Sequence, residues 1–182
     1  MVMLESRCLD AFPDWLRSLA DDARGLASLL ESEGNVVAQR RSAAALTYLF
    51  KSLDLIPDGL EDLGFIDDAF VLRAAAAATA LDAGDALSAD SSGTLARLAA
   101  DAELVHEFLG DEYPRLTRYV ASLEHGSARG RTVDAILSDP LICADFVREV
   151  SEWAGSFTVP AFNRDARNLV KLRAFLLAKL PA

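Results

Sequence analysis

Hydrophobic residues recur at steps of three and four along most of the chain, which is the period of an amphipathic helix. The first series runs from Leu16 to Leu30 and comprises Leu16, Leu19, Ala20, Ala23, Leu26, Ala27 and Leu30. Pro13 precedes it and suits the first turn of a helix, where its missing N–H group is not needed. Gly34 follows the series, so the pattern predicts a first helix between these two residues.

The same periodicity predicts several further helices. They cover about residues 36–53, 67–81, 95–109, 111–124, 140–153 and 165–180. Asn35 and Asp139 precede two of them and are suited to cap their first turns. The segments between helices include 54–68, a polar loop at 84–93 and a flexible, basic connector at 126–131. We therefore predict an all-α fold, a compact bundle of seven or eight helices, with residues 1–182 forming a single domain.

The overall composition excludes several classes of protein. Hydrophobic residues make up 52% of the 182 residues, which is too many for a disordered chain. The net charge of −10 argues against a protein that grips nucleic acid over a broad surface. No basic segment followed by an apolar one opens the sequence, and no apolar stretch approaches the roughly 20 residues of a transmembrane helix. We expect a cytoplasmic protein without a transmembrane segment and without a nucleic-acid partner.

The negative charge is concentrated in one part of the sequence. Residues 54–90 hold nine acids and a single base, Arg73, whereas the segment from Ala161 to the end is basic. The acidity is therefore a local property of the segment between the second and third predicted helices and of the loop that follows the third. This segment is where we look first for function.

The same segment contains a recognisable pattern. Its residues are Tyr48-Leu49, then Asp54-Leu55-Ile56-Pro57-Asp58, then Leu63-Gly64-Phe65-Ile66-Asp67-Asp68. With these motifs, residues 43–72 resemble the YkvA-like family of short bacterial helical hairpins, whose function is unknown. The resemblance implies a bacterial protein in which residues 36–83 form a helical hairpin. Many relatives look membrane-associated through apolar flanking helices, which would imply a peripheral contact with membranes here.

The chain departs from the family pattern inside the loop. Ser52 stands where a proline is usual, and Gly59 and Glu61 replace an apolar residue and a second proline. Asp62 also replaces an apolar residue. This version of the loop is therefore more acidic than the family pattern.

Three interpretations of the six acids in residues 54–68 are open. They can cap helices, with Asp58 accepting hydrogen bonds in the turn after Pro57 and Asp67 or Asp68 stabilising the start of the third helix. Alternatively, Asp54, Asp58, Asp67 and Asp68 can bind Ca²⁺ or Mg²⁺, which prefer oxygen ligands. An EF-hand does not fit, because Ile56 and Phe65 occupy ligand positions of that template. Thirdly, Glu61 and Asp62 can dock a basic protein partner.

A second candidate surface lies on the last predicted helix. Arg164, Arg167 and Lys171 follow one another at three- and four-residue steps, opposite a stripe of leucines. Such a basic face can contact an anionic membrane, dock an acidic partner, lie against the acidic hairpin or simply face solvent.

The remaining motifs favour no catalytic chemistry. Glu103 and His106 have the spacing of a di-metal carboxylate motif, but that site requires a second such motif and further glutamates on facing helices. Cys8 and Cys143 have no metal-type spacing. We therefore predict a non-enzymatic protein that acts by binding an unknown partner. The alternatives are a divalent-cation-binding protein, a metal-dependent enzyme that uses the acidic hairpin, and a peripheral membrane protein.

Overall fold

The structure is a computed structural model that describes residues 2–32, 35–51, 54–83 and 89–181. Within these ranges the chain is almost entirely helical, which confirms the predicted all-α fold. The helices are α1 (Val2–Leu30), α2 (Val36–Tyr48), α3 (Ile66–Ala83), α4 (Ala89–Leu109), α5 (Tyr113–Ser122), α6 (Val133–Ser138), α7 (Pro140–Ser156) and α8 (Ala166–Lys179). Short 3-10 turns at Gly110–Glu112 and Leu123–His125 flank α5. Two predicted caps are confirmed: Asn35 accepts from the amides of Val37 and Ala38, and Asp139 from Leu141 and Ile142.

The long helix α1 runs through the centre of the bundle, where it packs against α2, α3, α4 and α7. Around it lies an aromatic cluster in which the ring of Phe12 is 5.1 Å from that of Phe70 and 5.3 Å from that of Phe108. Helix α3 lies between α2 and α4. Helices α2 and α3 both pack against neighbouring helices, and their packing fixes the two ends of the loop that joins them.

Two predicted boundaries are wrong. Helix α1 begins at Val2 rather than near Pro13, because the buried side chains of Cys8 and Phe12 extend its apolar stripe past the proline. Helix α2 ends at Tyr48 rather than Leu53. The amides of Leu49 and Phe50 donate to carbonyls three residues back, at Leu46 and Thr47, instead of four as in an α-helix. Residues 52 and 53, like Gly34, lie outside the described residues.

The predicted loop at 84–93 is also partly wrong. Residues 84–88 lie outside the described residues, but α4 already begins at Ala89. Its first turns lie close to α1 at Gly25, where an added Cβ atom would be 2.5 Å from Oγ1 of Thr94. Contact with α1 at Gly25 therefore supports the early part of α4.

The predicted flexible connector at 126–131 contains a small β-hairpin instead. Strand β1 (Ser127–Ala128) pairs antiparallel with β2 (Arg131–Thr132). Arg129 and Gly130 between them have φ of 49° and 79°, which suits the tight turn of a two-residue hairpin. The guanidinium group of Arg129 lies 4.8 Å from the centre of the Phe50 ring, so the hairpin is held against the end of α2.

A charged network joins α1, α3 and α4 in the interior. Arg73 is fully buried, and its Nε donates to Oδ2 of Asp101 over 3.1 Å. Its Nη2 lies 3.5 Å from Oδ2 of Asp22, which also pairs with Arg97. The guanidinium plane is 4.2 Å from the centre of the Trp15 ring. Burial lowers the pKa of Arg73 to about 10, so this side chain stays charged at neutral pH.

Candidate functional site

The loop between α2 and α3 is a series of tight turns. The amide of Leu60 donates to the carbonyl of Pro57 over 2.8 Å, and that of Gly64 donates to the carbonyl of Leu60 over 2.9 Å. A Cβ atom at position 64 would lie 2.0 Å from the carbonyl oxygen of Asp58, so only glycine fits there. The motif glycine therefore lets the loop fold back on itself above the start of α3.

Tyr48 and Asp67 attach this loop to both of its helices. The Tyr48 hydroxyl donates to Oδ2 of Asp67 over 2.5 Å, and the amide of Ile56 donates to the same oxygen over 2.9 Å. The amide of Leu55 in turn donates to the Tyr48 hydroxyl oxygen over 2.7 Å. One buried carboxylate thus connects the end of α2, the beginning of the loop and the first turn of α3. Helix capping by Asp67 stays a prediction, since the bonds that its carboxylate makes run to the end of α2 and to the loop.

Four acids surround this point, and we call Asp54, Asp58, Asp67 and Asp68 the acidic corner. The charge of Asp58 raises the pKa of the other three, and Asp54 and Asp67 also raise that of Asp68, so the four side chains lie within electrostatic reach of one another. They differ in depth. Asp67 and Asp68 are 0% and 2% exposed, Asp54 is half-buried and Asp58 is exposed.

Three carboxylate oxygens of the acidic corner are buried without a hydrogen-bond partner among the described residues. They are Oδ1 of Asp54, Oδ1 of Asp67 and Oδ2 of Asp68. An ionised oxygen that is removed from water without a partner is strongly unfavourable. The corner therefore combines like charges with unmet hydrogen-bonding capacity.

The pKa values of these acids reflect that combination. Burial, assisted by the charges of Asp58 and Asp67, raises the pKa of Asp54 to about 7. Burial raises the pKa of Asp67 to about 6, although the bonds from Tyr48 and Ile56 oppose the rise. The pKa of Asp68 is well above its ordinary value because of burial and the neighbouring acids. Near neutral pH the corner therefore holds protons that exposed aspartates would have lost.

Aromatic side chains that the sequence analysis did not connect with the acids lie beside them. The Tyr119 ring from α5 meets that of Tyr48 edge-on at 6.0 Å, and burial together with the corner acids raises the pKa of Tyr119 to about 12. Tyr48 belongs to the sequence motif, and its hydroxyl group in an apolar stretch could have indicated a buried hydrogen bond. Tyr119 gave none, because its position depends on long-range packing.

The two acids predicted to dock a partner lie further out on the loop. Glu61 is exposed, whereas Asp62 is half-buried and has a φ of 67°. Phe65, with a φ of 64°, directs its ring towards α7, where it lies 6.5 Å from Trp153 and 5.2 Å from Phe157. The acidic loop and one end of α7 thus form a continuous surface.

The basic residues predicted on the last helix lie elsewhere, and Arg164 precedes α8. Arg164 pairs with Asp10 of α1 over 3.2 Å, Arg167 lies 3.5 Å from Asp165, and Lys171 is exposed. Contact between these three side chains and a membrane or an acidic partner stays a prediction. Among the described residues, none of the helices combines the length and apolar character needed to span a bilayer.

The metal site predicted at the acidic corner is not preformed. In the part of the chain that the structure describes, no three or more His, Cys, Asp or Glu side chains are grouped so that they could hold a metal ion. Two of the four predicted ligands, Asp54 and Asp58, lie on the loop. Binding of Ca²⁺ or Mg²⁺ would therefore require these two to turn towards Asp67 and Asp68.

Comparison with known proteins identifies only the segment that carries the corner. Residues 42–74 match the model of a family described as a protein of unknown function, DUF1232. The match covers less than a fifth of the chain and includes the stretch that resembles the YkvA-like hairpin. No curated protein and no solved structure is significantly similar to the chain. The comparisons therefore support a segment from an uncharacterised family within this helical fold.

Proposed function

We propose that this protein acts by binding and that its acidic corner takes up a divalent cation. The observation that carries the proposal is the set of three buried carboxylate oxygens without partners, on Asp54, Asp67 and Asp68. Two of these side chains are almost completely enclosed, so their negative charge is poorly compensated by water. A cation among them would supply both the missing charge and the missing coordination.

The chemistry of the side chains favours a hard cation. All four carry oxygen donors only, which suits Mg²⁺ and Ca²⁺ better than softer transition metals. Asp67 already uses Oδ2 to bind Tyr48 and Ile56, which leaves Oδ1 for a ligand. The bonded oxygen would orient the carboxylate, as outer-shell bonds do in metal sites.

The loop would supply the rest of the site. Asp54 and Asp58 lie at the two ends of the segment that the Tyr48 hydrogen bond anchors, and Asp58 faces solvent. Without a cation, repulsion among the four acids opposes their closer approach. With one, the loop would close over α3, so binding would be coupled to a local rearrangement.

Thermal unfolding with and without cation tests this proposal. In the presence of Mg²⁺ or Ca²⁺ at about 100 times the dissociation constant, the folded state gains about 2.7 kcal/mol, which corresponds to a rise of several degrees in Tm. Asp54→Asn should reduce the response, whereas Asp111→Asn, an exposed acid elsewhere, should retain it. A Tm that is identical with chelator, Mg²⁺ and Ca²⁺ would refute the proposal.

A further inference from the structure

The surface beside the acidic corner combines two features that occur on different parts of the sequence. One is the acidic outer loop, represented by Glu61 and Asp62. The other is a half-buried aromatic trio, Phe65, Trp153 and Phe157, whose ring centres are 5.0–6.5 Å apart. We call these five residues the docking face. Phe65 joins its two halves, because it belongs to the loop and packs on α7.

The backbone at Phe65 is held in an unfavourable conformation. A bulky residue with positive φ is strained, and such conformations cluster at binding sites. Here the strained residue places an aromatic ring next to Trp153 and leaves it partly exposed. Folding alone would favour deeper burial of three large aromatic side chains.

The charges of the docking face lack partners within the described chain. Neither Glu61 nor Asp62 forms an ion pair with the described residues. The arginines of the neighbouring groove are already paired: Arg129 and Arg131 with Glu149, and Arg148 with Asp145 and Glu152. The loop therefore presents negative charge that the adjacent groove does not neutralise.

The groove continues the docking face along α7. It has a volume of about 470 Å³ and is lined in part by Phe50, Trp153 and Glu152. Its mixed polar and aromatic walls allow an extended segment to lie along α7 after leaving the loop. The groove therefore lengthens the contact. The loop alone would bury too little surface area for a stable complex.

We infer that the docking face binds a Lys- and Arg-rich segment of a partner protein. The ammonium or guanidinium groups of such a segment would pair with Glu61 and Asp62. Their aliphatic stems would lie on the aromatic trio, where cation–π contact adds to the attraction. The inference goes beyond the cation proposal, since it involves the outer loop and α7 rather than the enclosed carboxylates.

The test uses a fluorescent synthetic peptide of alternating arginine and leucine, with a second peptide in which glutamine replaces arginine. Binding is measured by fluorescence anisotropy in chelator, so that any cation site is empty. We expect the arginine peptide to bind and to weaken steeply between about 50 mM and about 500 mM salt. Failure of the arginine peptide to bind, or equal binding of the glutamine peptide, would overturn the inference.

Matched variants locate the contact. Glu61→Gln with Asp62→Asn removes two charges, and asparagine tolerates the positive φ at position 62. We expect this variant to lose about fivefold to tenfold in affinity. The control, Glu103→Gln with Asp111→Asn, removes two distant charges and should change affinity less than twofold. Equal losses of affinity in both variants would show that the effect comes from the net charge of the protein alone. That result would contradict a specific docking face.

The aromatic half is tested separately. Trp153→Leu keeps an apolar side chain on α7, and we expect about a threefold loss of affinity for the arginine peptide. Its circular dichroism and Tm should be measured alongside to show that α7 remains folded. An unchanged affinity in this folded variant would exclude the aromatic trio. Asp68→Asn should leave peptide binding intact, which separates failure of this inference from failure of the cation proposal.

Discussion

Two groups of charged side chains are buried in this bundle, and they differ in whether opposite charges lie beside them. Around Arg73, a guanidinium group lies between Asp22 and Asp101, so the charges of the interior are paired. In the acidic corner, Asp67 and Asp68 are equally buried, but the charged groups around them are further carboxylates. The first arrangement holds helices together, whereas the second leaves negative charge that a ligand can compensate.

The contrast also appears in the pKa values. Arg73 retains a pKa of about 10 because Asp22 and Asp101 oppose the effect of burial. In the corner, burial and like charge act in the same direction, so the pKa values of Asp54, Asp67 and Asp68 are all raised. Opposite charges let an ionised group stay in the interior, and like charges bring it towards neutrality.

The largest expected effect comes from breaking the paired group. Arg73→Met removes the buried cation and leaves Asp101 without it, and we expect a loss of about 3–5 kcal/mol in the free energy of unfolding. Urea denaturation measures the change. The control is Arg24→Ala, which breaks an exposed pair with Asp21 and should cost less than about 1 kcal/mol. A loss for Arg73→Met no larger than the control would show that the buried pair contributes nothing.

A smaller loss is expected from the hydrogen bonds that attach the loop. Tyr48→Phe removes the hydroxyl group that binds Asp67 and accepts from Leu55, and it should cost about 1–3 kcal/mol. Hydrogen exchange should show faster exchange at the amides of Leu55 and Ile56. If these amides stay as protected as in the parent protein, the hydroxyl does not hold the loop.

The smallest effect is a dependence of stability on pH. Asp54 and Asp67 have pKa values raised to about 7 and about 6, whereas unfolded aspartates titrate near 4. The folded state therefore binds protons more tightly, and this stabilisation is complete below pH of about 4 and is lost as pH rises through about 6–7. In chelator, the free energy of unfolding should fall between pH 5 and pH 8 by about 1–2 kcal/mol, once the contribution of the partly exposed Asp54 is discounted for solvent screening, and Tm should fall with it.

Substitution assigns this pH dependence to the corner. Asp54→Asn should make the decline of Tm with pH shallower, while Asp111→Asn should leave it unchanged. Stability that rises over the same range in the parent protein would mean that the corner acids have ordinary or lowered pKa values.

The fold was predictable because it depends on local periodicity. Leu169, Leu172 and Leu176 of α8, for example, are buried as their spacing indicates. The errors arose where distant contacts override local signals. Pro13 is typical of a helix start, yet α1 continues through it. The reason is that Phe12 packs against rings from α3 and α4. The β-hairpin was missed because it depends on tertiary contacts of Arg129 with Phe50 and Glu149.

The candidate site was predictable in composition but not in depth. The sequence identified Asp54, Asp58, Asp67 and Asp68 from their density in one loop. It could not show that the last two are buried, since this depends on how the loop folds above α3. Nor could it place Trp153 and Phe157 beside Phe65, because residues so far apart in sequence are joined only by tertiary packing.

The most direct test of the contrast between paired and unpaired charge is the stability of Asp68→Asn, measured with chelator and again with saturating Mg²⁺ or Ca²⁺. Asparagine keeps the shape of the side chain and cannot ionise. Both proteins are compared at pH 8, above the raised pKa values of Asp54 and Asp67, where repulsion within the corner is strong. In chelator the variant should have a higher Tm than the parent protein, because repulsion within the corner is relieved. With the cation the order should reverse, because only the parent protein gains stability. A variant that is less stable in chelator and responds to cation as the parent does would contradict the account.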